Sequence, residues 1–309
     1  MLDKPNSINQ DDIRSSDECD FHLHLFPNIA KKALEAKSRK SQVLHQALAT
    51  NQSDTKQLTL WNETLRCLPN EIANSALFNA KNRRQARTYL KKSEIAVIGN
   101  GKIIYTGEEL RQDDETVWLQ LIHLAKENPL GNTVEFTPYA LCKAVGWSID
   151  GRSYMRLREC LDRMQATSLS IYSPRLKEGV SLSMIPMFKW RDEAGKALTL
   201  YQVKVAPELV TLFIEAYRTR LEWCQRLALP DGLATWLHSY YASHNKPFPV
   251  KISTLKRGAG ITTECKAALR QLIEKALAKL VEVDFLESWE IVGELVHVQR
   301  KKSQGDYCV

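Results

Sequence analysis

A chain of 309 residues with 44% apolar residues and a formal net charge of +7 has material for two ordinary domains, each able to bury its own core. Such a composition excludes a wholly disordered protein, and no apolar run approaches the roughly 18 residues needed to cross a bilayer. With Asp3, Asp11 and Asp12 and no long apolar block, the N-terminus does not read as a signal peptide, so a soluble, cytoplasmic protein without membrane contact is expected.

Residues 1–56 are rich in Ser, Asn, Gln, Asp and Lys, and they carry too little apolar surface to offset the entropy of ordering them. A mostly disordered tail is expected, in which 29–50 forms a basic amphipathic helix only against a partner. The cysteines at 19, 67, 142, 160, 224, 265 and 308 contain no CxxC pair, which fits a reducing compartment and packing roles. Cys19, His22 and His24 lack a fourth ligand, so neither a metal nor any other cofactor is expected.

Residues 57–61, QLTLW, place two leucines and a tryptophan directly after this polar tail. From residue 71 order is expected: NSALFNAKNRR reads as a short helix, and the apolar alternation on either side of Asn100-Gly101 reads as a hairpin. Asp113 or Asp114 can cap a helix that buries Val117, Trp118, Leu121 and Ile122. Thr137 and Pro138 open a second helix that stops at Gly146, and a third spans about 153–166. Strand-like runs follow at 167–173, 180–190 and 197–205.

The same order then recurs. A helix is expected over 207–223 as a joint, another over 231–244, and a short one over 252–257. Gly258 and Gly260 make a turn, Thr262 caps a long helix from 263 to about 280, and a terminal hairpin closes the chain. Helix, helix, turn, helix, hairpin is the order of a winged helix, so the fold class expected is α+β with two tandem winged-helix domains, 71–206 and 207–302. Residues 57–70 would be a linker and 303–309 a tail.

A helix-turn-helix places its second helix in the DNA major groove. In the second domain that helix turns Leu269, Leu272, Ile273, Ala276, Leu277 and Leu280 inward and Thr263, Lys266 and Arg270 outward, where they can meet guanine, thymine or phosphate. In the first, Leu157, Cys160, Leu161 and Met164 point inward and Arg152, Tyr154, Arg156 and Arg158 are the DNA candidates. Placement of charge agrees: Lys81, Arg83, Arg84, Arg87, Lys91 and Lys92 form an acid-free block, and eight cations from Lys246 to Lys279 face only Glu264 and Glu274. Solvated amphipathic helices or protein-docking modules would carry similar runs.

The stretches QLTLW, LPNEIANSALFNAKNRR, KIIYTGEELRQDDETVW, ALCKAVGWSIDGRSYMRLRECLDRMQATS and ELVHVQRKK occur in order from 57 to about 302. In these the chain resembles the TrfA-type replication initiators of broad-host-range plasmids, within the two-winged-helix plasmid Rep proteins. The resemblance implies binding to directly repeated origin sequences (iterons), opening of the adjacent duplex, and recruitment of host replication proteins. It implies an active monomer and an inactive homodimer, with the replicative helicase and the host initiator as further partners. By position, Lys256, Arg257, Thr262, Thr263, Lys266 and Arg270 inherit the iteron-reading role, although Glu264 and Cys265 make this helix start less basic than in related proteins.

QLTLW is similar to the motif with which polymerases and TrfA-type initiators bind the sliding clamp. Leu58, Leu60 and Trp61 would enter an apolar pocket while Gln57 makes polar contacts at its edge, concentrating the energy in a few anchors. Packing of the same residues against the first domain is the alternative. An enzyme is not expected: no phosphate loop or G-x-S-x-G elbow is present, and capping accounts for Asp113, Asp114 and Glu115. A winged-helix repressor binding operator DNA remains the competing function, separated from an initiator by the pentapeptide.

Overall fold

The computed structural model describes residues 62–126, 133–172, 179–206 and 218–301. The tail with its basic helix, the Cys19/His22/His24 cluster, the pentapeptide with Gln57, Leu58, Leu60 and Trp61, the start of the expected joint at 207–217, and 302–309 lie outside the described residues.

The described part is mixed α/β. Strand β1 (Leu65–Pro69) leads into a one-turn helix α1 (Asn70–Ala73) and then β2 (Phe78–Asn79). The hairpin expected at Asn100-Gly101 forms from β3 (Tyr89–Ile95) and β4 (Lys102–Glu108), with Ile95 opposite Ile103. The helix expected over NSALFNAKNRR does not form. Leu77 and Phe78 are each drawn into the core at 2% exposure, Phe78–Asn79 pairs in parallel with β5 (Leu110–Arg111), and the residues after it run as an irregular loop.

Helix α2 (Gln112–Ala125) is the hub of the first half, buried at every position from Gln112 to His123. A helix buried all round must find partners for its polar side chains. Gln112 donates to the Phe78 carbonyl at 2.6 Å, Gln120 accepts from Arg66 at 2.8 and 3.0 Å, and His123 meets Glu63 at 2.8 Å. The expected capping by Asp113 or Asp114 is corrected: Arg111, in extended backbone, is the cap residue, and the Asp114 carboxylate reaches back from the third helical position to accept its amide at 2.8 Å.

Strand β6 (Thr133–Phe136) precedes helix α3 (Pro138–Ala144), where the Thr137 hydroxyl accepts the Ala140 amide at 3.0 Å and Pro138 opens the first turn. Gly146, at φ +71°, ends that turn in a conformation that favours glycine. Helix α4 (Gly151–Gln165) is capped by Asp150, which accepts the Ser153 amide at 2.8 Å, and it buries Leu157, Cys160, Leu161 and Met164 as expected. The run at 180–190 is broken by buried Met184 and Ile185 into strands of different sheets. Strands β7 (Ser168–Tyr172) and β8 (Gly179–Leu182) extend the β3–β4 hairpin, whereas β9 (Met187–Arg191) and β10 (Ala197–Lys204) join β6 in the order β6-β10-β9.

Residues 218–222, expected within a helix, instead form β11 (Arg218–Glu222), which pairs antiparallel with β1 across some 150 residues of chain. A short helix α5 (Trp223–Ala228) follows. The second half comprises α6 (Leu233–Ala242), β12 (Val250–Lys251), α7 (Ile252–Gly258), α8 (Lys266–Glu282), β13 (Leu286–Val292) and β14 (Leu295–Arg300). Its sheet has the order β12-β14-β13, which repeats β6-β10-β9 element for element. Helix α8 starts at Lys266 and not after Thr262, which stays in the preceding loop. Leu272, expected inside, is 40% exposed.

Two apolar clusters result, one from Cys67 to Trp223 and one from Leu229 to Val296. Polar and backbone contacts cross between them. Trp236 donates its indole N–H to the Ser75 carbonyl at 2.9 Å, and the Ala80 amide donates to the Ala259 carbonyl at 2.8 Å. A Cβ on Gly258 would stand 2.4 Å from Ile98 Cδ1, so glycine there permits the close approach of the two halves.

Candidate nucleic-acid interface

The corner between α7 and α8 is where the sequence concentrates its second group of candidates. Gly260, in left-handed backbone at φ +66°, turns the chain out of α7, and Ile261 to Cys265 lead into α8. Arg257 and Lys266 are exposed, as is Thr262, while Thr263 is half-buried. Lys256 pairs with exposed Glu264 at 3.0 Å, a solvent-screened contact that a phosphate could displace. Arg270 is engaged differently. Its Nε donates to Glu274 at 2.9 Å, and its two terminal nitrogens donate to the carbonyls of Gly293 at 3.1 Å and Ile291 at 3.3 Å, tying the helix to the β13–β14 turn.

In the first half, Arg152 is exposed at the start of α4, and Tyr154 packs half-buried against the first core. Arg156 lies 3.9 Å over the Trp147 ring and donates to Asp231 at 2.8 Å, so it bridges α4 to the start of the second half. Arg158 stacks over Trp190 with its guanidinium carbon 3.3 Å from the ring centre, and its Nε is 3.8 Å from Asp162. The two candidate groups are thus not merged into one patch. The first is partly committed to packing, and the second surrounds one helix corner.

The acidic run at the start of α2 carries more than the sequence suggests. Asp114, fully buried, accepts from Arg87 at 2.7 Å and from Arg163 at 2.9 and 3.1 Å. Asp113 pairs with Arg87 at 3.1 Å and lies 3.5 Å from Arg156. Glu115 meets Arg226 at 3.4 Å and accepts from Ser239 at 3.0 Å. Burial opposes the charge on Asp113, but Arg87, Arg156 and Arg163 outweigh it and hold the carboxyl below its usual range. Burial likewise opposes the charge of Arg163, yet Asp114, Cys160 and Asp113 hold its guanidinium above the ordinary value. Burial, reinforced by Asp113, drives the Asp114 carboxyl upward, and the two guanidiniums and the Arg111 amide are what oppose that drive.

Three neighbouring acids on one helix therefore tie together the loop at 80–88, α4, α5 and α6. The signal available in the sequence was the surplus of acid at one helix start in a basic chain with arginines at 87, 156, 163 and 226. Among the described residues no group of three or more His, Cys, Asp or Glu could hold a metal ion, and no helix is long and apolar enough to cross a membrane.

The described residues thus form a mixed α/β scaffold that repeats one sheet order in its two halves and exposes cations around its helix corners. A sequence model of the TrfA protein family matches residues 26–300. The plasmid replication initiator protein TrfA of Escherichia coli is 33% identical over 273 residues, which covers 88% of this chain and 70% of that protein. The chain belongs to the TrfA family of plasmid replication initiators. The family match begins inside the polar tail, well before residue 57, where the resemblance in the motifs starts. A crystal structure of domains 2 and 3 of RctB superposes with a TM-score of 0.53 at 13% identity, covering 76% of this chain and 99% of that one, so the mixed α/β fold is shared.

Proposed function

We propose that the protein initiates plasmid replication by binding iterons at an origin through two tandem winged helices, opening the neighbouring duplex and recruiting the host sliding clamp. The observation that carries this reading is the repeat of one topology: helix, strand, helix, helix and a closing strand pair, with the first strand beside the last in both sheets and with β7 and β8 of a separate sheet inserted before that pair in the first half. That order and strand arrangement are those expected of a winged helix, and family membership supplies the biological setting.

What supports a junction near residue 229, and not at 206/207, is that Leu221 and Trp223 pack in the first cluster and Leu229 in the second. In the second unit we assign iteron contacts to Lys256, Arg257, Thr262, Thr263 and Lys266, with Arg270 supporting the hairpin from beneath. In the first unit Arg152 is the outward contact, and Tyr154, Arg156 and Arg158 shape the surface around it. Opening of the duplex comes from binding energy and DNA deformation, not from hydrolysis. Gln57, Leu58, Leu60 and Trp61 form the clamp-binding peptide, and an active monomer alternates with an inactive homodimer. The replicative helicase and the host initiator are the remaining partners.

The test is footprinting on the plasmid's own origin. The expected result is protection of tandem repeats of about 17–22 base pairs, roughly two helical turns apart, lost as salt rises. Absence of any salt-sensitive protection would overturn the reading.

A further inference from the structure

The stretch AKNRRQART at 80–88, whose first five residues end the helix expected over NSALFNAKNRR, is an irregular loop held in place from below. Arg111, 1% exposed, donates to three of its carbonyls: Asn82 at 2.6 Å, Gln85 at 2.9 Å and Ala86 at 2.9 Å. The Ala80 amide is bonded to the Ala259 carbonyl at 2.8 Å, and the Gln85 amide to the Asn82 carbonyl at 3.0 Å. Burying a guanidinium to satisfy loop carbonyls is a costly way to shape a loop unless the shape is used.

The four cations of the loop divide into two pairs. Lys81 and Arg87 turn inward, Lys81 to Glu109 and Arg87 to Asp113, Asp114 and the Glu109 carbonyl. Arg83 and Arg84 are exposed, and no described residue bonds to either guanidinium. Arg83, with Ala80, Lys81, Asn82 and Gln85 of its loop, lines one side of a cleft of about 520 Å³ that Thr262 and Thr263, the residues that lead into α8, also line, and Arg84 is its neighbour in the chain outside that lining. Among the described residues Asp231 is the one acid lining the cleft, and it is paired with Arg156 at 2.8 Å, which leaves Arg83 without a counter-charge across the opening.

We infer that this loop is a preformed clamp for the DNA backbone, in which Arg83 and Arg84 grip phosphates flanking the stretch that α8 approaches. The proposal rests on the DNA-binding reading above and deepens it. Because the loop backbone is held by Arg111 before DNA arrives, binding does not have to order it. Contacts to phosphate carry no base information, so they strengthen binding to every sequence alike.

The experiment uses the full-length protein and a fluorescent duplex of about 30 base pairs of arbitrary sequence, titrated over a range of salt concentrations. Each lost phosphate contact lowers the slope of log K against log salt by about 0.9, so Arg83→Ala/Arg84→Ala is expected to reduce it by roughly 2. The thermal midpoint should stay unchanged because both side chains are exposed, and Arg83→Lys/Arg84→Lys should restore most of the slope. A double alanine variant with wild-type affinity and slope would overturn the proposal while leaving the DNA-binding reading intact. If the wild type itself showed no salt-sensitive duplex binding, both would fall together.

Discussion

Glu115 and Arg226 face each other at 3.4 Å with 3% and 1% of their side chains exposed, one from the hub helix of the first half and the other from the short helix that leads into the second. Around them, Arg226 also donates to Ser239 at 2.9 Å and to Gln112 at 3.2 Å. Breaking such a pair from one side strands a charge in the interior, at about 3–5 kcal/mol. Arg226→Met is therefore expected to lower stability by that order in urea unfolding. Combining it with Glu115→Gln should recover part of the loss; a strictly additive double variant would show that the two residues do not act as a pair.

His238 gives the fold an acid-sensitive element. It is fully buried against Phe285, its ring nitrogens have no hydrogen-bond partner among the described residues, and burial, with Arg226 and Arg300 nearby, lowers its pKa from 6.5 to about 3. Since the unfolded chain takes up the proton first, this contribution is fully present above 6.5 and is lost as pH falls toward 3. The loss amounts to about 1.4 kcal/mol per pH unit inside that window. His238→Leu should remove that slope, read as the difference between wild-type and variant unfolding free energies at neutral pH and at about pH 5. A difference that does not change with pH would count against it.

Gly260 is expected to be intolerant where Gly293 is not. Both have positive φ, at +66° and +60°, but a Cβ on Gly260 would come within 2.8 Å of Asn79 Cβ, whereas nothing lies within 4 Å of one on Gly293. Gly293→Ala should cost only the conformational penalty of about 1 kcal/mol. Gly260→Ala adds a steric conflict and should cost about 2 kcal/mol or more. Equal thermal shifts for the two variants would mean that the helix corner does not press on the segment at 78–80.

Arg270 separates a base contact from a support. With its terminal nitrogens donating to the carbonyls of Gly293 and Ile291, the expected outcome of Arg270→Ala is faster amide exchange over residues 291–295 and weaker binding to all duplexes alike. A loss of about 1–3 kcal/mol confined to one base position would instead make Arg270 a reader of guanine.

The pentapeptide separates an initiator from a repressor. Leu58→Ala/Trp61→Ala should abolish binding to the sliding clamp in a titration and leave DNA affinity unaltered. Full clamp affinity in this variant would remove the peptide from the recruitment mechanism.

What could be read from the sequence was whatever local chemistry decides. Thr137, Pro138 and Gly146 bound their helix because a cap hydroxyl, a fixed φ and a left-handed stop all act within one turn. The hairpin signalled at Asn100-Gly101 forms, but its connection runs over residues 96–101, and Gly99, at φ +122°, and not Asn100 or Gly101, takes the positive-φ backbone there. What could not be read depends on partners far along the chain. The segment at 74–84 has a helix-like composition, but Arg111 and Leu110 recruit it into a strand and a pinned loop. Leu65–Pro69 and Arg218–Glu222 find one another only in the fold. In the DNA candidates, residue type was legible from the sequence, but the division between exposed Arg152 and Lys266 and the committed Arg156 and Arg270 was not.

The bond from the Trp236 indole to the Ser75 carbonyl, with Ala80 and Ile98 laid against the second core, has a practical side for anyone exchanging modules among these initiators. A graft of the C-terminal half alone would arrive with part of its exterior unfinished. Transplanting its specificity intact means carrying the short stretch around 75–80 and the hairpin tip at 98 along with it.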